Sequence, residues 1–259
     1  MARIFAIMSG KGGVGKSTLS AALAEYYALQ GMRVTLLDGD TGLRCADLML
    51  GMQDQVVYDL GDLIEKRCSL EQALIHSSAH PHLSLLAAPQ LMKPSDLKAK
   101  EIAKVIERLN ETQDLILLDA PAGIGRGLKN LLGANAQSVI VATPDDVSVR
   151  DAERLAALLS ERGEMHPGIV FNRVSRQLIK RGEMTPPAQL AAALDLPLMG
   201  VLPESREIYR ALLRHETALH CGDKEVEKAI ANIASRLLGA ETPLPEYAPS
   251  PVWLFFSRR

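Results

Sequence analysis

Apolar residues along this chain come in short unbroken runs. Between the runs lie stretches in which apolar positions recur every three or four residues. The runs are Ile4 to Met8, Arg33 to Asp38, Leu83 to Ala87, Leu115 to Asp119, Ser138 to Ala142, Gly168 to Asn172 and Leu198 to Leu202. Helical spacing covers Ser17 to Gln30, Ser95 to Leu109, Val147 to Arg162, Pro187 to Leu194, Arg206 to Leu213 and Lys224 to Leu238, and Gly31 is placed to end the first of these helices. Such alternation predicts an α/β fold: a mostly parallel, twisted sheet with helices on both faces. Ligands on such sheets bind beyond the carboxyl ends of the strands, so the polar residues closing each run are the ones to inspect for chemistry.

After Leu238 the pattern stops. GAETPLPEYAPSP carries four prolines in its last nine residues and cannot continue a helix, and VWLFFSRR follows it. We therefore divide the chain into a domain over 1–240, a proline-rich linker over 241–251 and a tail over 252–259. In the tail, Trp253, Leu254, Phe255 and Phe256 precede Arg258 and Arg259, a combination suited to the interface of an anionic bilayer; folding back on the domain is the other use for such a cluster.

The composition, 47% hydrophobic and 23% charged over 259 residues, is that of a globular domain, and a net charge of −2 supplies no global field to draw nucleic acid. Arg173, Arg176, Lys180 and Arg181 do cluster, but a charge run of that size is usually a solvated face. Cys45, Cys68 and Cys221 lie far apart without a C-x-x-C pair, which argues against zinc, an iron–sulfur cluster or a disulfide framework and predicts a reduced, cytoplasmic protein. The opening MARIFAIMSG is too short in apolar residues for a signal peptide, and no stretch is long enough for a membrane span.

Gly10 to Ser17 fits G-x-x-x-x-G-K-[ST] between a strand and a helix. In that context Gly10, Gly12, Gly13, Val14 and Gly15 let backbone N–H groups turn in on phosphate oxygens. Lys16 reaches the terminal phosphates, Ser17 can ligate Mg²⁺, and Thr18 is counted with them among the cofactor-binding residues. Magnesium also needs carboxylates at neighbouring strand ends; Asp119 closes DLILLD before the glycine-bearing APAGIG, and Asp38 and Asp40 close RVTLLDGD. Lys11 is surplus to the pattern. On so tight a loop its side chain is expected to point outward, either into solvent or towards a neighbouring subunit.

GKGGVGKST resembles the deviant Walker A motif of the MinD/ParA family of P-loop ATPases, and within that family the blocks are most similar to the MinD group, the division-site ATPases. LLDGDTGLRCADLMLG is similar to its first switch, DLILLDAPAGIG to its second, TPDDVSVRDAERLAALL to its partner-facing helix, and FNRV and GVLPES to its nucleotide-base segments. The resemblance spans about residues 2 to 238. It implies a homodimer formed with ATP, in which Lys11 reaches into the partner's site. It implies further that Asp40 orients the attacking water, Asp38 and Asp119 serve Mg²⁺, and Asn172 and Pro203 contact the base of ATP or ADP. By the same resemblance the partners are a MinC-like division inhibitor and a MinE-like or polar-anchor regulator, and the chain joins the inner face of the cell membrane reversibly. Ser148 and Asp151 have capping-box spacing, so Asp151 is read either as a helix-start residue or as a partner contact. Arg44 is read as a solvated charge or a dimer contact. A DNA- or cargo-positioning ATPase and a nucleotide-gated scaffold with little turnover are the competing readings.

Overall fold

The computed structural model describes residues 1–41, 44–90, 92, 96–131, 136–164 and 166–247; the tail from Trp253 to Arg259 lies outside them. The described strands are β1 (Arg3–Met8), β2 (Val34–Asp38), β3 (Leu74–His76), β4 (Leu83–Leu86), β5 (Leu115–Asp119), β6 (Gln137–Ala142), β7 (Gly168–Val174) and β8 (Leu198–Pro203). They form one sheet in the order β3-β4-β2-β5-β1-β6-β7-β8. Every neighbouring pair is parallel except β3 with β4. The antiparallel edge was not foreseen from sequence, because β3 is three residues long and shows no run of its own.

The described helices are α1 (Lys16–Leu29), α2 (Ala46–Met49), α3 (Leu60–Ile64), α4 (Leu70–Ala73), α5 (Ala99–Asn110), α6 (Arg126–Leu131), α7 (Asp146–Glu161), α8 (Arg176–Lys180), α9 (Pro187–Ala193), α10 (Arg206–Leu213) and α11 (Lys224–Leu237). The α5 helix starts at Ala99 rather than at Ser95, which lies outside the described residues. Successive strand residues point to opposite faces, and both faces are covered, which is why the strands read as continuous apolar runs instead of alternating ones. In β1, Phe5 and Ile7 join a core with α1 and α11, whereas Ala6 and Met8 join a second core with α5, α6 and α7. The Tyr27 hydroxyl donates to the Ala234 carbonyl at 2.8 Å and fastens α1 to α11 inside the first core. Gly31, at φ +82°, ends α1 in the left-handed conformation that glycine adopts without strain.

The segment expected to act as a spacer is seated on the domain in its described part. Tyr247 is half-buried, the Arg176 guanidinium lies 4.9 Å from its ring centroid, and Pro243, Leu244 and Pro245 line a small cavity with α11. A proline-rich run has few conformations to lose on docking, and an aromatic at its end gives it an anchor.

Candidate functional site

The glycine loop leaves β1 at the centre of the sheet, where the chain order reverses between β5 and β6. Gly13 and Gly15 sit at φ +79° and +92°, and a Cβ on Gly15 would come within 2.1 Å of the Asn172 amide nitrogen. That amide donates to the Val14 carbonyl at 2.8 Å, and the Arg173 guanidinium donates to the Gly13 carbonyl at 2.8 Å. The end of β7 therefore holds the loop in shape. The first turn of α1 has no side-chain cap and no acid, so its positive end is left for an anion.

Beneath the loop lie the acids. Asp38 and Asp119 are register partners across β2 and β5, and each is 1% exposed. Lys16, 5% exposed, places its Nζ 2.8 Å from Asp119 Oδ1, 3.1 Å from Ser17 Oγ and 4.0 Å from Asp40 Oδ2. Ser20 donates to the same Asp119 oxygen at 2.8 Å. Asp38 accepts from the backbone N–H groups of Asp40 and Ala46 at 2.9 and 3.3 Å, which fixes the first switch segment to the strand end. Gly39 fits between them because a Cβ there would meet Leu131 at 2.6 Å. On the second switch segment, the Gly123 N–H donates to the Ser9 carbonyl at 2.9 Å and ties the loop after β5 to the glycine loop.

The donor set fits magnesium. Asp119 Oδ2 is buried without a hydrogen-bond partner among the described residues, a costly state that a hydrated cation relieves, and the Ser17 hydroxyl and Asp38 are the other oxygens on offer.

Lys11 points away from this pocket. Its Nζ lies 3.3 Å from Asp145 Oδ1 at the start of α7, with the two side chains 36% and 50% exposed. Asp145 is also the cap of α7, accepting from the Ser148 N–H at 3.0 Å, while Ser148 Oγ accepts from the Thr143 N–H at 2.9 Å. The helix thus starts three residues before the position that capping-box spacing at Ser148 and Asp151 indicated. Asp151 does not cap; it packs under the glycine loop, where a Cβ on Gly10 would meet it at 2.6 Å, and pairs with Arg154 at 3.6 Å. Arg44 is not a solvated charge either, since its Nε lies 2.6 Å from the buried Asp47 carboxylate.

Residues 1–238 match the ParA family model, described as an NUBPL iron-transfer P-loop NTPase. The septum site-determining protein MinD of Helicobacter pylori is 37% identical over 254 residues, covering 95% of this chain and 94% of its own length. This chain belongs to the MinD family. The solved MinC:MinD cell division protein complex of Aquifex aeolicus superposes with a TM-score of 0.87 at 32% identity, over 95% of this chain and 100% of that one. MinD from Pyrococcus horikoshii, solved with Mg-ADP, superposes with a TM-score of 0.80 at 26% identity, over 93% of this chain and 100% of that one. Nucleotide and Mg²⁺ are the cofactors of the family, and the fold is the P-loop fold with a deviant Walker A loop.

Beside the loop opens a cleft of about 560 Å³, lined by Gly15, Thr18, Asn172, Pro203, Arg206 and Tyr209 among others. It brings together the two residues assigned to the base, Asn172 and Pro203, from the ends of β7 and β8. Arg206 and Tyr209 of α10 were missed; nothing in their spacing separates them from an ordinary amphipathic helix. Arg173 was read only as part of a basic cluster. It adopts φ +57°, unusual for a residue with a side chain, and this backbone turn aims its guanidinium at the loop.

Burial, and then the Asp119 carboxylate facing it, push Asp38 up to about 7 from an ordinary 3.8. The sign follows from proton linkage. A carboxyl that holds its proton more tightly when folded lowers stability as pH rises from about 4 to about 7, and contributes nothing below that window. Without nucleotide or metal, Asp38→Asn should therefore be more stable than the parent at pH 8, by on the order of 1–3 kcal/mol, with the two converging near pH 4. Urea unfolding across that range checks it; an equal difference at both ends would mean that Asp38 is not perturbed.

Proposed function

We propose that this chain is a Mg²⁺-dependent ATPase that is monomeric with ADP and dimeric with ATP, and that the dimer binds the membrane surface reversibly and recruits a MinC-like division inhibitor to control septum placement. The observation that carries the reading is the split between the two lysines: Lys16 is buried among the acids, whereas Lys11 leaves the same loop and ends on the surface. An exposed ion pair such as Lys11 with Asp145 is worth only about 0–1 kcal/mol, so Lys11 can exchange it for a phosphate across a dimer.

In hydrolysis a water oxygen attacks the γ-phosphorus as the bond to the β–γ bridging oxygen breaks, and negative charge on the transferring group must be relieved. Lys16 supplies a cation from its own subunit and Lys11 from the other. On this reading Asp40 orients the water; its side chain is a quarter exposed, 4.0 Å from Lys16 Nζ, and its carboxyl is raised by burial, which supports that role. Ser17, Asp38 and Asp119 would hold Mg²⁺, which would supply charge neutralisation when bound. Ile124 and Val147, exposed on the segments that follow β5 and β6, offer apolar surface on the same side of the sheet for a second subunit and for MinC-like or regulatory partners.

Two of the four cations in the basic cluster, which a DNA-binding alternative would use, have partners on the domain: Arg173 donates to the Gly13 carbonyl, and Arg176 pairs with Glu225 at 2.8 Å and lies over Tyr247. No described helix is long and apolar enough to cross a membrane, so attachment falls to the tail, Trp253, Leu254, Phe255, Phe256, Arg258 and Arg259. One such tail binds weakly and two in a dimer gain by effective concentration. Sedimentation with anionic liposomes should therefore pellet the whole chain with ATP, but not with ADP and not when residues 252–259 are removed. Equal pelleting of the whole and the shortened chain, with ATP and with ADP alike, would eliminate membrane attachment by this route.

A further inference from the structure

We propose that Glu25, His80 and His220 form a binding site for a divalent transition metal, zinc above all, separate from the magnesium–nucleotide site. Glu25 lies on α1 nine residues beyond Lys16, about 14 Å along the helix at 1.5 Å per residue. His80 belongs to the turn before β4, and His220 to a short helical turn before α11. Three segments far apart in sequence thus converge on one carboxylate.

The chemistry is specific. His80 Nε2 lies 2.6 Å and His220 Nε2 3.1 Å from the same Glu25 oxygen, Oε1, and the three ligand atoms lie within 4.8 Å of one another. The two rings are parallel to within 6°, with centroids 6.4 Å apart, so both present the same nitrogen to the same point. Zinc at about 2.0–2.1 Å from each ligand atom needs those atoms roughly 3.3 Å apart, which small side-chain rotations supply. Two imidazoles and a carboxylate are a ligand set that suits zinc, and three protein ligands leave a fourth position for water. The other Glu25 oxygen accepts from the Thr217 hydroxyl, the outer-shell contact that orients a ligating carboxylate.

Burial grades across the site in the direction an entry path requires. The Glu25 side chain is 6% exposed, His80 23% and His220 51%. A metal there would clamp α1 to the 218–220 turn, whose Ala218 lines the cleft beside the glycine loop. The inference does not depend on the division-related reading.

The test is titration of the metal-stripped full chain with Co²⁺, followed by its ligand-field absorption, and then displacement by Zn²⁺. One Co²⁺ per chain is expected, with a Zn²⁺-dependent rise in Tm. His220→Ala, an exposed position, should weaken uptake at least about 100-fold, and Thr217→Val about 10–100-fold, whereas His166→Ala should change nothing. Retained Mg-ADP binding shows that each variant is folded. If the parent takes up no stoichiometric Co²⁺ and shows no rise in Tm, the cluster is only a hydrogen-bonded network and the proposal falls. Uptake undiminished in His220→Ala overturns it equally.

Discussion

Lys16→Ala is expected to abolish ATP-dependent dimerisation and to lower hydrolysis at least about 100-fold, the cost of removing one preorganised charge from a transferring phosphoryl group. Its effect extends to the nucleotide-free chain. Lys16 is the cation within 2.8 Å of Asp119, and Asp119 faces a second buried acid, Asp38. Removing one member of a buried pair costs about 3–5 kcal/mol when the other stays charged, and proton uptake by Asp38 offsets part of this. Lys16→Ala should accordingly be destabilised by on the order of 2 kcal/mol at pH 8 and by less at pH 6, below the raised value of Asp38. Nucleotide binding by calorimetry and urea unfolding at the two pH values check both halves. Unimpaired turnover would confine Lys16 to holding Asp119.

Lys11→Ala should behave in the opposite way. Among the described residues its side chain pairs with the exposed Asp145, so stability should change by less than about 1 kcal/mol and ADP affinity by less than about threefold. Turnover with ATP should nevertheless fall by about 10³-fold or more, the scale of a cation supplied in trans. Single-turnover phosphate release measures this directly. A variant with the parent's rate would remove the trans-acting role and leave Lys11 as a helix-cap partner.

Most of the architecture was legible in the sequence because two-sided burial turns each parallel strand into a continuous apolar run. The strand ends at Met8, Asp38 and Asp119 followed from that pattern, and with them the placement of the glycine loop and the acids. What the sequence concealed has physical causes. The β3 edge and the four- to six-residue helices α2, α3, α4, α6 and α8 are too short for any period to show. Helical spacing from Val147 puts the start of α7 beside the observed Asp146, but the cap was misassigned because Asp145 and Ser148 are both good caps, and only the fold decides which of them accepts from the helix N–H groups. The docking of residues 241–247 was invisible because prolines favour the same extended backbone whether a segment spans solvent or lies on a surface. The Glu25, His80 and His220 cluster has no local spacing at all, since each member comes from a different element.

The central claim is that each active site borrows Lys11 from a second copy of the chain, and mixing two inactive variants tests it most directly. Lys11→Ala retains Asp40, and Asp40→Ala retains Lys11. In a mixed dimer, the Lys11→Ala subunit's own site receives its missing cation from the partner. An equal mixture should therefore recover about a quarter of the parent's activity, because half of the dimers are mixed and each carries one complete site. A mixture as inactive as either variant alone would contradict the account.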